Sequence, residues 1–167
     1  LRRGCGSPAA SLRSPVSTMK IRTELGGKGA VALSFSANMR FVRPVRHFIS
    51  ALCTLAEYPE EETESIALVT TEILNNSIEH GARGPDDEIH VSMRITRDMF
   101  HFEVTDPGKG GEGFASTALD RAAEMPDLEQ ARGRGLFLIR NYMDHLEIAF
   151  DPKSGTRVVT WKARAKA

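Results

Sequence analysis

The chain has 167 residues, 41% hydrophobic and 26% charged, with 22 basic and 22 acidic side chains and a formal net charge of zero. That length suits one domain with a proper core. The neutral balance argues against strong nonspecific attraction to nucleic acid or an anionic membrane. Cys5 and Cys53 are the only cysteines, at a spacing that fits neither a zinc site nor a disulfide framework, and no apolar run approaches membrane-spanning length. A cytoplasmic setting is the expectation.

Residues 1–18 are rich in Ser, Pro, Gly, Ala and Arg, with neither apolar periodicity nor the apolar stretch of a signal peptide. They read as a disordered extension, Met19-Lys20-Ile21 as a natural start, and residues 19–167 as the domain. Ala30 to Phe35 suits a first strand. From Asn38 to Leu55, Phe41, Val45, Phe48, Ile49, Leu52 and Leu55 recur at helical spacing, with Cys53 as a buried thiol. Pro44 fits only a first turn, so this helix should begin near Phe41 to Arg43. Pro59 followed by Glu60, Glu61 and Glu62 opens a second helix, because acids favour the positive end of the helix dipole. Ile66, Val69 and Ile73 form its core stripe, and Gly81 is a natural stop.

Residues 84–87 read as a turn. Glu88 to Thr96 and Met99 to Thr105 then read as a hairpin about Arg97-Asp98. From Lys109 to Arg132 the pattern weakens. A short helix near Ser116 to Glu124 is expected, inside an insertion long enough to be a functional lid. Gly133-Arg134-Gly135 opens an amphipathic helix through Leu136, Ile139, Tyr142 and Met143. Leu146 to Phe150 and Thr156 to Trp161 close the chain as strands about residues 151–155. This order predicts an α+β sandwich with helices packed on one face of a sheet.

Glu72-Ile73-Leu74-Asn75-Asn76-Ser77-Ile78-Glu79-His80-Gly81 carries acid, amide and imidazole at a helix end. Glu72, Asn76 and His80 lie one turn apart on one ridge, with Glu79 beside them. A solvated helix face is the plain alternative for any one of them. Paired asparagines inside a helix, however, cost propensity and compete for backbone hydrogen bonds, and Asn76 borders the buried stripe. Asp106-Pro107-Gly108-Lys109-Gly110 reads either as a turn or as an adenine-binding loop headed by a carboxylate. Gly133-Arg134-Gly135 reads either as a flexible loop or as backbone amides presented to phosphates at a helix N-terminus. Gly155-Thr156 alone reads as a turn.

In this order, Glu72-x-x-x-Asn76-x-x-x-His80-Gly81, Asp106-x-Gly108-x-Gly110, Gly133-x-Gly135 and Gly155-Thr156 resemble the N, G1 and G2 boxes and closing Gly-Thr of the GHKL ATPase superfamily. The resemblance covers Ala30 to Trp161. It implies a Bergerat fold: a two-layer sandwich with a mixed, mostly antiparallel sheet, helices on one face and an ATP lid. The free-standing domain and the His80-Gly81 ending are most similar to the small anti-sigma-factor serine/threonine kinases of bacteria. By that likeness Asn76 would coordinate Mg²⁺ and Glu72 would act as general base toward a serine or threonine hydroxyl. Asp106 would read adenine. Gly108, Gly110, Gly133, Gly135 and Thr156 would shape the ATP pocket, Arg134 would reach the phosphates, and His80 would support the site or cap the helix.

The implied substrate is an anti-sigma-factor antagonist with a STAS domain, the other partner is a sigma factor, and a homodimer is expected, with neither nucleic acid nor membrane bound directly. The segment Phe41 to Leu55 is expected to contribute partner contacts. Asn75 departs from the threonine common in the family, and Pro107 stiffens the adenine loop. Three rivals stay open: a switch kinase that never binds sigma, an ATP-dependent binding module without kinase activity, and a domain outside the superfamily.

Overall fold

The structure is a computed structural model that describes residues 19–23, 30–109 and 134–164. Strand β3 (Glu88–Ile95) buries Ile89, Val91 and Met93 and exposes the residues between them. Strand β4 (Met99–Asp106) buries Phe100, Phe102, Val104 and Asp106. This period of two gives the sheet one dry face and one wet face. With β1 (Met19–Thr23), β2 (Ala30–Ser36), β5 (His145–Asp151) and β6 (Gly155–Ala163) it forms a six-stranded sheet in the order β1-β2-β3-β4-β6-β5. Every pairing among the described strands is antiparallel. The parallel minority of a mixed sheet has no counterpart among the described residues.

Among the described residues three helices cover the dry face. A 3₁₀ turn at Met39–Phe41, with the Arg40 N–H donating to Asn38 Oδ1 at 3.1 Å, leads into α1 (Val42–Leu55). Pro44 falls in its first turn, as its missing N–H requires. Val42, Val45, Ile49 and Cys53 form the buried stripe of α1. Helix α2 (Glu60–Asn76) opens on three glutamates and buries Ile66, Ala67, Val69, Thr70, Ile73 and Leu74. Helix α3 (Arg134–Tyr142) brings Ile139 into the same core. Phe35, Phe100 and Phe102 are fully buried beneath these helices, each stabilising the fold by about 1.5–3 kcal/mol relative to exposure.

Two features differ from the sequence reading. Met19–Thr23 is an edge strand paired with β2 from Met19↔Phe35 to Thr23↔Val31; so short a run carries little alternation to read. Helix α2 does not continue as α-helix to Gly81: it widens after Asn76 into a π turn, Ser77–Gly81, closed by Ala82 N–H to Ser77 C=O at 2.9 Å. The expectations for residues 1–18, the helix at 116–124 and most of the lid lie outside the described residues. Among the described residues no helix is long and apolar enough to cross a membrane.

Candidate active site

The π turn changes what the end of α2 can touch. On the α2 core stripe Ile73 is followed one turn later by Ser77, which is buried. Its hydroxyl donates to the carboxylate of Asp106, the last inward-facing residue of β4. Gly81 then passes so close to Asp106 that any Cβ there would overlap the carboxyl group. The turn is locked to the loop after β4 by Lys109 N–H to Gly81 C=O at 2.8 Å and by Arg83 Nη2 to Pro107 C=O at 3.1 Å. The two sequence segments singled out for chemistry thus meet side by side.

Asp106 is 4% exposed, an unusual place for a carboxylate. Besides Ser77 it accepts from the Gly108 N–H at 2.9 Å and from both the hydroxyl and the backbone N–H of its cross-strand partner Thr156. Burial still outweighs these bonds and pushes its pKa above the ordinary carboxylate range. The loop around it needs glycine at two points. Gly108 has φ +72° and abuts Phe150 and the Gly155 Cα, while Gly155 has φ +90° and a Cβ there would overlap the Asp106 carbonyl. Gly108 and Gly155-Thr156, far apart in sequence, are fitted against each other.

Asn76 is half-buried and lines a narrow cleft with Ile73, Ser77, Asp106, Leu136 and Thr156. The space they leave is about 20 Å³, room for about one water. Larger hollows of about 340, 640 and 850 Å³ lie elsewhere on the surface, so the chemistry of its residues marks this cleft, and its size does not. Glu72, one turn before Asn76, is half-buried, and Gly135 in the first turn of α3 is packed against its carboxylate: a Cβ on Gly135 would lie 2.5 Å from Glu72 Oε2. Burial, and secondarily the Glu79 carboxylate, push the Glu72 carboxyl above its usual range. A carboxylate so tuned is a better proton acceptor than an exposed one.

The structure therefore gathers Glu72, Asn76, Asp106, Gly108, Gly135 and Thr156. His80 lies on the π turn and is exposed, outside the residues that line the cleft. Arg134 begins α3, its side chain outside the described set; Gly110 and Gly133 also lie outside the described residues. The sequence reading does not include Ser77 among the site residues, and it takes Gly81 as a helix stop and as the end of the first motif, without its close approach to Asp106. The signal for Ser77 was a small polar residue at the next core-stripe position after Ile73. No group of three or more acidic, histidine or cysteine side chains that could hold a metal occurs among the described residues. Asn76, one of the residues lining the cleft, carries an amide oxygen, a hard donor. A single oxygen donor suits Mg²⁺, which keeps several waters and takes its other ligands from phosphates.

Residues 35–161 match the histidine kinase-like ATPase domain family. The chain is 30% identical over 131 residues to the anti-sigma F factor of Heyndrickxia coagulans, which spans 77% of this chain and 88% of that one. It is 27% identical over 136 residues to the anti-sigma F factor of Halalkalibacterium halodurans, spanning 81% and 92%. It is also 27% identical over 136 residues to the serine-protein kinase RsbW of Listeria monocytogenes, spanning 79% and 85%.

Proposed function

The chain belongs to the histidine kinase-like ATPase domain family, and from that premise we propose that it is an anti-sigma factor with serine/threonine kinase activity. It binds ATP, as the family does, and uses Mg-ATP to phosphorylate a STAS-domain antagonist in the cytoplasm. The second partner is a sigma factor, and the working unit is a homodimer. The observation that carries the reading is the pairing of a half-buried Glu72, raised in pKa, with Asn76 one turn away beside the buried Asp106. The names of the similar anti-sigma factors and serine-protein kinase support the same conclusion.

Asp106, held by Ser77, Thr156 and the Gly108 N–H, accepts a hydrogen bond from the adenine amino group. Leu136 and Ile73 wall the base, and the narrowness of the cleft requires the Leu136 side to draw back as the purine enters. Asn76 offers its amide oxygen to Mg²⁺; the ion, when bound, neutralises charge on the phosphate oxygens. Glu72 takes the proton of the substrate hydroxyl as that oxygen bonds to the γ-phosphorus. The bond from phosphorus to the bridging oxygen breaks, and ADP leaves with the electron pair. Gly135, backed against Glu72, leaves the carboxylate no side chain to compete with the incoming hydroxyl. Arg134, at the start of α3, contacts the phosphates.

The test uses the purified chain, Mg-ATP and the STAS protein encoded nearby. The wild type is expected to transfer phosphate to one serine or threonine, while Glu72→Ala binds ATP and partner but transfers none. Binding of ATP and partner by the wild type without any transfer would replace the kinase with a sequestering module. An antagonist that is phosphorylated while no sigma factor is captured would leave the switch-kinase reading.

A further inference from the structure

Asp106 is nearly buried, and burial disfavours its charged form. Among the bonds that offset this burial the Gly108 N–H contributes most, ahead of the Ser77 and Thr156 donors. It lies 2.9 Å from Asp106 Oδ1. That N–H belongs to the same peptide unit as the Pro107 C=O, and in a trans peptide the two point in opposite directions. The other end of the unit is held as well: Arg83 Nη2 donates to the Pro107 C=O at 3.1 Å. One peptide is thus gripped from both ends, by the buried carboxylate and by a guanidinium.

The path of the chain does not by itself fix the plane of this peptide. Pro107-Gly108, with Gly108 at φ +72°, has the sequence and the glycine φ of the central pair of a type II turn. Turning the peptide over gives the type I arrangement, which glycine also adopts, with the Cα atoms hardly displaced. The Lys109 N–H bond to the Gly81 C=O therefore fixes where the loop runs and leaves the peptide plane open. Turned over, the Gly108 N–H would face away from Asp106. Arg83 is rooted to oppose this. Its own N–H and that of Gly84 donate to Asp87 Oδ2 at 2.7 and 3.2 Å, just before β3, and Ala82 before it is tied to the π turn. Among the described residues Arg83 makes no ion pair that would draw its guanidinium elsewhere. A cation on the carbonyl also polarises the peptide and makes its N–H a stronger donor.

We propose that Arg83 is a positioning residue of the nucleotide site: by holding the Pro107 C=O it keeps the Gly108 N–H on Asp106 and the carboxylate aimed at the base. The role rests on the reading of the cleft as an ATP site. Arg83 is exposed and is not among the residues that line the cleft, so its effect passes through the shared peptide. Loss of the guanidinium frees the peptide to turn over, and Asp106 then meets the adenine amino group without its principal donor.

The test compares the full-chain wild type with Arg83→Met, which removes the donor and keeps the stem, and with Arg83→Lys, which restores a donor. Amide hydrogen exchange is read first, without nucleotide. Gly108 should exchange about five-fold faster in Arg83→Met, the worth of one hydrogen bond, while Phe102, inside β4, should exchange as in the wild type. Calorimetric titration with Mg-ATP should then give a Kd weakened about five-fold in Arg83→Met and close to wild type in Arg83→Lys. In phosphate transfer, KM for ATP should rise in Arg83→Met with kcat unchanged. Unchanged exchange at Gly108, equal ATP binding by Arg83→Met and the wild type, or equally faster exchange at Phe102 would each overturn the proposal, the last because it marks a merely structural role. A wild type that binds no ATP would overturn the reading of the cleft and this role with it, a result told apart because it appears before any variant is compared.

Discussion

The lower and upper ends of the β4–α2 contact follow one pattern with opposite chemistry. Along β4 the inward residues are Phe100, Phe102, Val104 and then Asp106. Along α2 the core stripe runs Ile66, Val69, Ile73 and then Ser77. The positions remain those of a core, and burial stays nearly complete, but the last rung of each element is polar. Lower down, dispersion and apolar burial hold the layers together. At the upper end a carboxylate satisfied by hydroxyls and amides takes over that role, which leaves oxygen atoms facing a cleft. Function lies where the fold keeps the geometry of its core and gives up its chemistry.

Substitutions can break this contrast. Glu72→Gln should have the largest effect: phosphate transfer falls by about 10²–10⁴-fold while thermal unfolding stays unchanged, read by a transfer assay beside a melting curve. Phe102→Ala, at the lower end, should do the reverse. It is fully buried, so unfolding in denaturant should show a loss of about 3–5 kcal/mol, with residual folded protein still binding ATP. Gly155→Ala tests the joint between the two ends. Its positive φ and the overlap with the Asp106 carbonyl should cost about 1–3 kcal/mol and weaken ATP binding as well, since the strain falls on the loop that positions Asp106.

The smallest effect is electrostatic. The Glu72 carboxyl is raised by burial and then by Glu79. A raised base is protonated, and activity lost, as pH falls through that raised value. Glu79→Gln removes the lesser cause, so the acid limb of the pH–rate profile should move to lower pH with the plateau rate little changed. A profile that stays put would assign the raising to burial alone.

The repeating parts of the molecule were legible in the sequence, and the close approaches were not. Pro44 and the Glu60-Glu61-Glu62 run marked the starts of α1 and α2 because proline geometry and the helix dipole act locally. Alternation from Glu88 to Thr105 marked the central hairpin for the same reason. Strand β1 escaped because a five-residue edge strand is defined by its partner β2 and hardly by itself. The π turn escaped because one widened turn leaves the residue spacing almost untouched. Among the site residues, Asn76 stood out as an amide bordering the apolar stripe of its helix, and Asp106 as the carboxylate at the head of a glycine loop. Ser77 was legible only as a small polar residue at the next core-stripe position after Ile73, while the fit of Gly108 against Gly155 depends on segments distant in the chain, and spacing carries no trace of which strand end will face which turn.

The most direct measurement of the central claim, that the polar rung of β4 and α2 is a nucleotide site, is calorimetric titration of Mg-ATP into the wild type and Asp106→Asn, with circular dichroism to show that both are folded. The account predicts saturable binding by the wild type and none by the folded variant. Equal ATP binding by the two would contradict it.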